Sequence, residues 1–242
     1  MSYAIQWLRS LIFNAQMYGA MLVVGILYAP AAIASRKGAI AACHAYCRYI
    51  RWSASWMIGL KTEIRGTPPT DEVMIAAKHQ SFMDVIVIYG AVPRGKFIMK
   101  SILKYAPIIG QFALRIGCIP VDRGKRGAAI KKMLADVRAG HALPGQLIIY
   151  PQGTRVGPGV NRPYKIGTAA LYRDMVQPVV PVATNVGVFW PKRGVYRKPG
   201  TAVFEFLPMI EPGLEVGDFI TRLERDIETA CERLNKEAGF RG

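Results

Sequence analysis

The first carboxylate of the chain is Glu63: residues 1–60 hold Arg9, Arg36, Lys37, Arg48 and Arg51 and no Asp or Glu. Cations without acids nearby are left for water or for an external anion. Cysteine is scarce too. Cys43, Cys47, Cys118 and Cys231 include no Cys-x-x-Cys pair and no His at zinc-ligand spacing, which excludes a zinc ribbon and a disulfide-stapled scaffold. Cys43 and Cys47, one helical turn apart, read as small apolar packers, and reduced thiols in a cytosolic body are expected. No Gly-rich phosphate loop, internal repeat or low-complexity linker interrupts the chain.

What is present is a basic, apolar chain of 242 residues, 51% hydrophobic, with a formal net charge of +16. That length suits one domain, and the apolar content excludes a disordered basic tail, which would lack the area to offset ordering entropy. The charge leaves three anionic partners to weigh: nucleic acid, an acidic lipid surface or a phosphorylated substrate. Its placement is uneven. Residues 211–242 carry eight acids against five bases, net −3, so the first 210 residues carry +19. A basic N-terminal face and body with an acidic terminal helix fits a molecule oriented against an anionic surface.

Between Arg9 and Arg36 lie 26 uncharged residues, and the apolar run 11–34 is long enough to cross a bilayer. A second apolar segment, 38–60, follows at once, which argues against a cleaved signal peptide. Arg48 and Arg51 at its middle would cost about 3 kcal/mol or more each at the bilayer centre, so lying in the interface is favoured. Pro30 and the Arg36-Lys37-Gly38 break predict two helices joined by a turn, with Trp52 and Trp56 suited to the headgroup layer. A helical hairpin buried in a soluble core has the same apolar pattern.

From residue 61 onward, short β-rich runs alternate with helical patterns. Strands are predicted at 72–78, 96–99, 118–121, 146–150, 179–184 and 201–207, and helices at 82–91, 102–114 (broken), 127–138 and 219–236. The last helix places Phe219, Leu223, Ile227, Cys231 and Leu234 on one face. Alternation of this kind predicts an α/β sheet covered by helices, whose ligands collect at the carboxyl ends of strands. The irregular stretch 152–167, rich in Gly, Pro, Arg and Lys, is long enough to point to function.

Three strand-end loops carry groups suited to chemistry. After the first body strand comes Lys78-His79-Gln80-Ser81-Phe82-Met83-Asp84. One reading is a capping box in which Ser81 and Asp84 close a helix terminus. In the other, the same turn sets Asp84 beside His79, fixing the imidazole as a general base. The loops Asp122-Arg123-Gly124 and Gln152-Gly153-Thr154-Arg155 each carry an Arg whose planar fork of donors suits phosphate. Taken singly, each is more commonly a surface turn with a solvated Arg.

Four pieces in one order resemble the ordered motifs of the glycerolipid acyltransferases, of the bacterial 1-acylglycerol-3-phosphate acyltransferase type. They are His79-x4-Asp84, 117–123, Pro151-Gln152-Gly153-Thr154-Arg155 and Val180-Pro181-Val182-Ala183. The segment 97–103, bearing Lys100, resembles that family's lysine-bearing segment, and the first sixty residues resemble its membrane-docking hairpin. Gln152 departs from the pattern, which has Glu there.

The resemblance implies an α/β fold, a mixed sheet flanked by helices, divided into a docking hairpin (1–60) and an acyltransferase domain (61–242). It implies His79 and Asp84 as catalytic pair, and Lys100, Arg123, Gln152, Gly153, Thr154 and Arg155 as substrate-binding residues. The co-substrate would be an acyl-CoA or acyl carrier protein thioester, with no metal or other cofactor. The partners would be a lysophospholipid acceptor and anionic membrane lipids, without nucleic acid. The place would be the cytoplasmic face of the inner membrane, with the first helix either lying on the bilayer or crossing it. Two alternatives stay open: acylation of another lysolipid such as lyso-ornithine, and a basic module that binds membrane surfaces or nucleic acid.

Overall fold

The computed structural model describes residues 2–121, 134–135 and 144–240. Two long helices come first, α1 (Tyr3–Ala34) and α2 (Arg36–Met57). Then follow β1 (Leu60–Arg65), β2 (Met74–Ala77), α3 (Met83–Ala91), β3 (Lys96–Lys100), a 3-10 turn (Ser101–Tyr105), α4 (Ile109–Ile116), β4 (Ile119–Val121) and β5 (Leu147–Ile149). The chain continues through α5 (Ile166–Met175), β6 (Val179–Thr184), β7 (Gly200–Phe206) and α6 (Val216–Glu237). Helix α1 runs through Pro30 rather than ending there. The break is at Ser35, whose extended backbone leaves its hydroxyl to accept from Gly38 N at 3.1 Å and so cap α2.

The seven strands form one mixed sheet in the order β1-β7-β6-β2-β5-β3-β4, in which β6–β7 alone is antiparallel. Central strands β2, β5 and β6 are buried along their whole length, as expected of strands covered on both faces. Alternation sorts their side chains between two cores. Ile75, Ala77, Ile148 and Val182 face α1, α2 and α3, whereas Met74, Ala76, Leu147 and Ala183 face α5 and α6. On α6 the predicted stripe, Phe219, Leu223, Ile227, Cys231 and Leu234, is buried as one face.

Two elements escape the sequence pattern: strand β1, and helix α5 just beyond the irregular stretch. The helix expected at 127–138 lies almost wholly outside the described residues. The boundary at residue 60 divides the chain in sequence but not in packing, because Phe13, Met17, Ala39, Ile50 and Ala54 join Ile75, Val87 and Phe204 in one continuous core. Neighbouring strands β6, β2, β5, β3 and β4 all run parallel, so their carboxyl ends line one edge. The loops after β2 and β5 meet there.

Candidate active site

Directly after strand β2 come Lys78 and His79, which turn in opposite directions. Lys78 turns towards α6, where its ammonium is buried against Glu228 at 2.6 Å, and Tyr164 Oη donates to the same carboxylate at 2.9 Å. His79 turns the other way. Its Nδ1 lies 2.8 Å from Asp84 Oδ2, which also accepts from the backbone N–H groups of Gln80 (2.6 Å) and Ser81 (2.8 Å). The Asp84 side chain is fully buried. A carboxylate at Nδ1 fixes that nitrogen as N–H donor and leaves Nε2 to take a proton. The turn thus carries the contacts of both readings: Ser81 Oγ accepts from Met83 N at 3.2 Å at the start of α3, while Asp84 lies against the histidine ring.

His79 opens onto a cavity of about 690 Å³. Its deep walls are apolar, built by Met21 and Val24 of α1, Ala42 and Cys47 of α2, Ile86 of α3 and Phe112 of α4. Lys100, at the end of β3, and Thr154 and Arg155, from the loop after β5, line the same cavity. That loop is tied to the His79 loop by Val156 N donating to His79 O at 2.7 Å. The cavity lining thus brings together an imidazole paired with a carboxylate, apolar side chains and the cations Lys100 and Arg155. Such a site suits an amphiphile with an anionic head and a hydroxyl near it.

The family model described as Acyltransferase matches residues 61–185. The chain belongs to the acyltransferase family. A 1-acyl-sn-glycerol-3-phosphate acyltransferase of Pseudomonas aeruginosa is 29% identical over 158 residues, 64% of this chain and 62% of that protein. The one of Limnanthes alba is 30% identical over 159 residues, 64% of this chain and 56% of that protein. The aligned part thus spans less than two thirds of these curated relatives. The crystal structure of the 1-acyl-sn-glycerophosphate acyltransferase from Thermotoga maritima superposes with a TM-score of 0.79, covering 95% of this chain and 98% of that one at 19% identity. That likeness establishes the fold, a mixed sheet flanked by helices, as the sequence leads one to expect.

Not every sequence-predicted site residue of this chain reaches the cavity. Gly153 sits beneath the site as the turn residue, at φ +67°, where a Cβ would also stand 2.6 Å from Lys165 Nζ. Gln152 is buried and turned away, its Nε2 donating to Arg162 O at 3.0 Å across the loop. Arg123 lies outside the described residues. Gln152→Ala is expected to destabilise the fold by about 0.5–1.5 kcal/mol through loss of its hydrogen bond to Arg162 O, with little change in acceptor KM. Thermal unfolding and steady-state kinetics on one preparation check both halves.

Two residues that sequence reasoning passed over stand at the site. The Tyr150 ring stacks on the His79 imidazole with centroids 3.9 Å apart and planes 17° from parallel. Burial, with Asp84 nearby, pushes its hydroxyl well above the usual tyrosine range, so it stays neutral. Its signal was its place at the end of β5, directly before Pro151. Lys192 lines the cavity from the segment after β6, adding a third cation to Lys100 and Arg155. The strand-end rule that singled out Arg155 applies to it too, but several residues intervene between Thr184 and Lys192.

Proposed function

We propose that this protein is a membrane-associated O-acyltransferase that moves a fatty acyl group from acyl-CoA or acyl carrier protein to the sn-2 hydroxyl of 1-acylglycerol-3-phosphate. The observation that carries the reading is the His79–Asp84 pair at the junction of an apolar cavity and three cations. In the proposed reaction His79 Nε2 takes the hydroxyl proton while the oxygen attacks the thioester carbonyl carbon. The tetrahedral oxyanion collapses with cleavage of the C–S bond, the proton passes to the departing thiolate, and phosphatidate and free thiol result. Asp84 stabilises the imidazolium formed midway. Lys100 and backbone N–H groups are candidate donors to the oxyanion, and Lys100, Arg155 and Lys192 to the acceptor phosphate. The names of the Pseudomonas and Limnanthes relatives support the lysophosphatidate acceptor.

Membrane association has its own support. Helix α1 is long and apolar enough to cross a bilayer by length and composition. Its buried residues, Gln6, Ser10, Phe13, Met17, Gly25 and Ala32, run nearly its whole length against the body. Crossing the bilayer would strip that stripe from its packing, which favours a helix lying in the interface. On α2, exposed Trp52 and Trp56 stand with ring centroids 5.5 Å apart, and Arg51 turns back to Thr62 Oγ1 at 2.9 Å.

Purified protein offered acyl-CoA or acyl carrier protein thioester with lysophosphatidate and lyso-ornithine in competition should yield phosphatidate by mass spectrometry. Preferential acylation of the lyso-aminolipid would overturn the acceptor. Arg155→Ala should raise the lysophosphatidate KM by about 30-fold or more, equivalent to about 2–4 kcal/mol for loss of one partner of a desolvated charged contact, and leave the thioester KM nearly unchanged.

A further inference from the structure

A second stretch of the chain shares the peculiarity of the first. Residues 1–62 contain no acid, and neither do residues 85–121, which carry Arg94, Lys96, Lys100, Lys104 and Arg115. The fold lays these two acid-free segments against each other. Gly25 of α1 meets Ile108 so closely that a Cβ there would stand 2.6 Å from Ile108 Cγ2. Arg115 of α4 donates to the last carbonyls of α1, through Nε to Ala32 O at 2.7 Å and through Nη2 to Ile33 O. Arg36, opening α2, donates to Ile116 O at 3.2 Å.

The outer surface of this junction is apolar. In the 3-10 turn Ser101–Tyr105, Ile102 is 66% and Tyr105 71% exposed, and Leu103 is exposed as well. Leu114 of α4 and Ile26, Leu27 and Ile33 of α1 extend the exposed apolar surface on either side. Cations punctuate it: Lys104 Nζ lies 4.7 Å from the centroid of the Tyr105 ring, and Lys100 is exposed at the end of β3. Apolar tips with lysines at their base match the layering of a bilayer surface, hydrocarbon beneath and phosphate above. The lack of any carboxylate in either segment makes that match specific to an anionic membrane.

We infer that the Ser101–Tyr105 turn is a second membrane-inserting element, distinct from the N-terminal hairpin, which seats Ile102 and Tyr105 among acyl chains and Lys104 among anionic headgroups. Leu103 and Ile108 of the same stretch line the cavity that holds His79. Insertion therefore holds that cavity against the bilayer, so that an amphiphilic acceptor enters without crossing water. This purpose rests on the lipid-acceptor reading above; the insertion itself does not.

The test uses the full chain with Tyr105→Trp and vesicles of phosphatidylglycerol with phosphatidylcholine brominated along its acyl chains, which quench only inserted tryptophan. The emission gained over the parent protein should be mostly lost in brominated vesicles and kept in unbrominated ones. If that added emission stays unquenched while that of the native tryptophans falls, the proposal is overturned, as it is by absence of any vesicle binding. In a second arm, Ile102→Asp combined with Tyr105→Asp should lower turnover of vesicle-embedded lysophosphatidate about tenfold while sparing a dispersed short-chain analogue. Equal loss on both substrates, or on neither, also overturns it. If the parent protein turns over no lysophosphatidate, the acceptor reading fails, and the quenching result still decides insertion.

Discussion

His79→Ala is expected to lower kcat/KM by about 10²–10⁴, the range spanned by removal of a positioned general base, with the unfolding midpoint nearly unchanged. The imidazole is part-exposed at the cavity and makes its hydrogen bond to a carboxylate that keeps two backbone donors without it, from Gln80 and Ser81. Asp84→Asn separates two roles. A carboxamide oxygen can still accept from those N–H groups, so the loop persists at a cost of about 1–3 kcal/mol. It no longer stabilises the imidazolium, and it permits the wrong tautomer at Nδ1, so kcat should fall by about 10²–10⁴. A cap alone predicts the same loss of stability with near-normal turnover. Kinetics and thermal unfolding measured on both variants decide between them, since the two roles of Asp84 load on different observables.

The placement of these side chains at one cavity was legible because they sit in loops at strand ends, where spacing along the chain equals proximity in space. His79 and Asp84 are five residues apart across one turn, and Thr154 and Arg155 lie early in the loop after β5. The outline of the sheet and the inner face of α6 were legible for a related reason: alternation of period 2 and of 3.6 survives where burial is one-sided or complete. Strand β1 was not, because LKTEIR owes its place to pairing with β7 and packing under α2, and only Leu60 along it is fully buried. Helix α5 mixes small, apolar and charged residues, and follows directly on a loop of the same character. Tyr150 stood at a strand end, but its stacking on His79 is a tertiary contact, and Lys192 lies too far beyond β6 for the strand-end rule to single it out. Gln152 shows the converse: its motif position is legible, its direction is not, and the fold turns its amide to Arg162 instead of to the cavity.

Deleting residues 1–57 tests whether the hairpin is an appendage or part of the body, and the structure predicts loss of the fold. An appendage would leave a soluble body with the site residues intact. Here the body reaches into the hairpin by its polar as well as its apolar groups. Gln6 Nε2 donates to Ile58 O at 2.9 Å and to Arg197 O at 2.8 Å, and Arg197 N donates to Ser10 Oγ at 3.0 Å. The Arg197 guanidinium lies over Trp190 at 4.4 Å, and Phe13 meets that indole edge-on at 5.6 Å. Phe13, Met17 and Ile50 are buried, and at about 1.5–3 kcal/mol for each such side chain their loss alone amounts to roughly 5–9 kcal/mol, comparable to the whole net stability of a domain. Removal would also expose the α3 face and delete the cavity walls contributed by Met21, Val24, Ala42 and Cys47. The truncated chain should therefore lack a cooperative unfolding transition and aggregate. Membrane contact is better separated from folding by changing the outer face of α1. Leu22, Val23, Ile26 and Leu27 are 52%, 54%, 62% and 71% exposed, so their replacement by Ser and Gln should preserve the thermal transition while weakening flotation with anionic vesicles. A truncated body that unfolds cooperatively and keeps turnover would show instead that the shared core is dispensable.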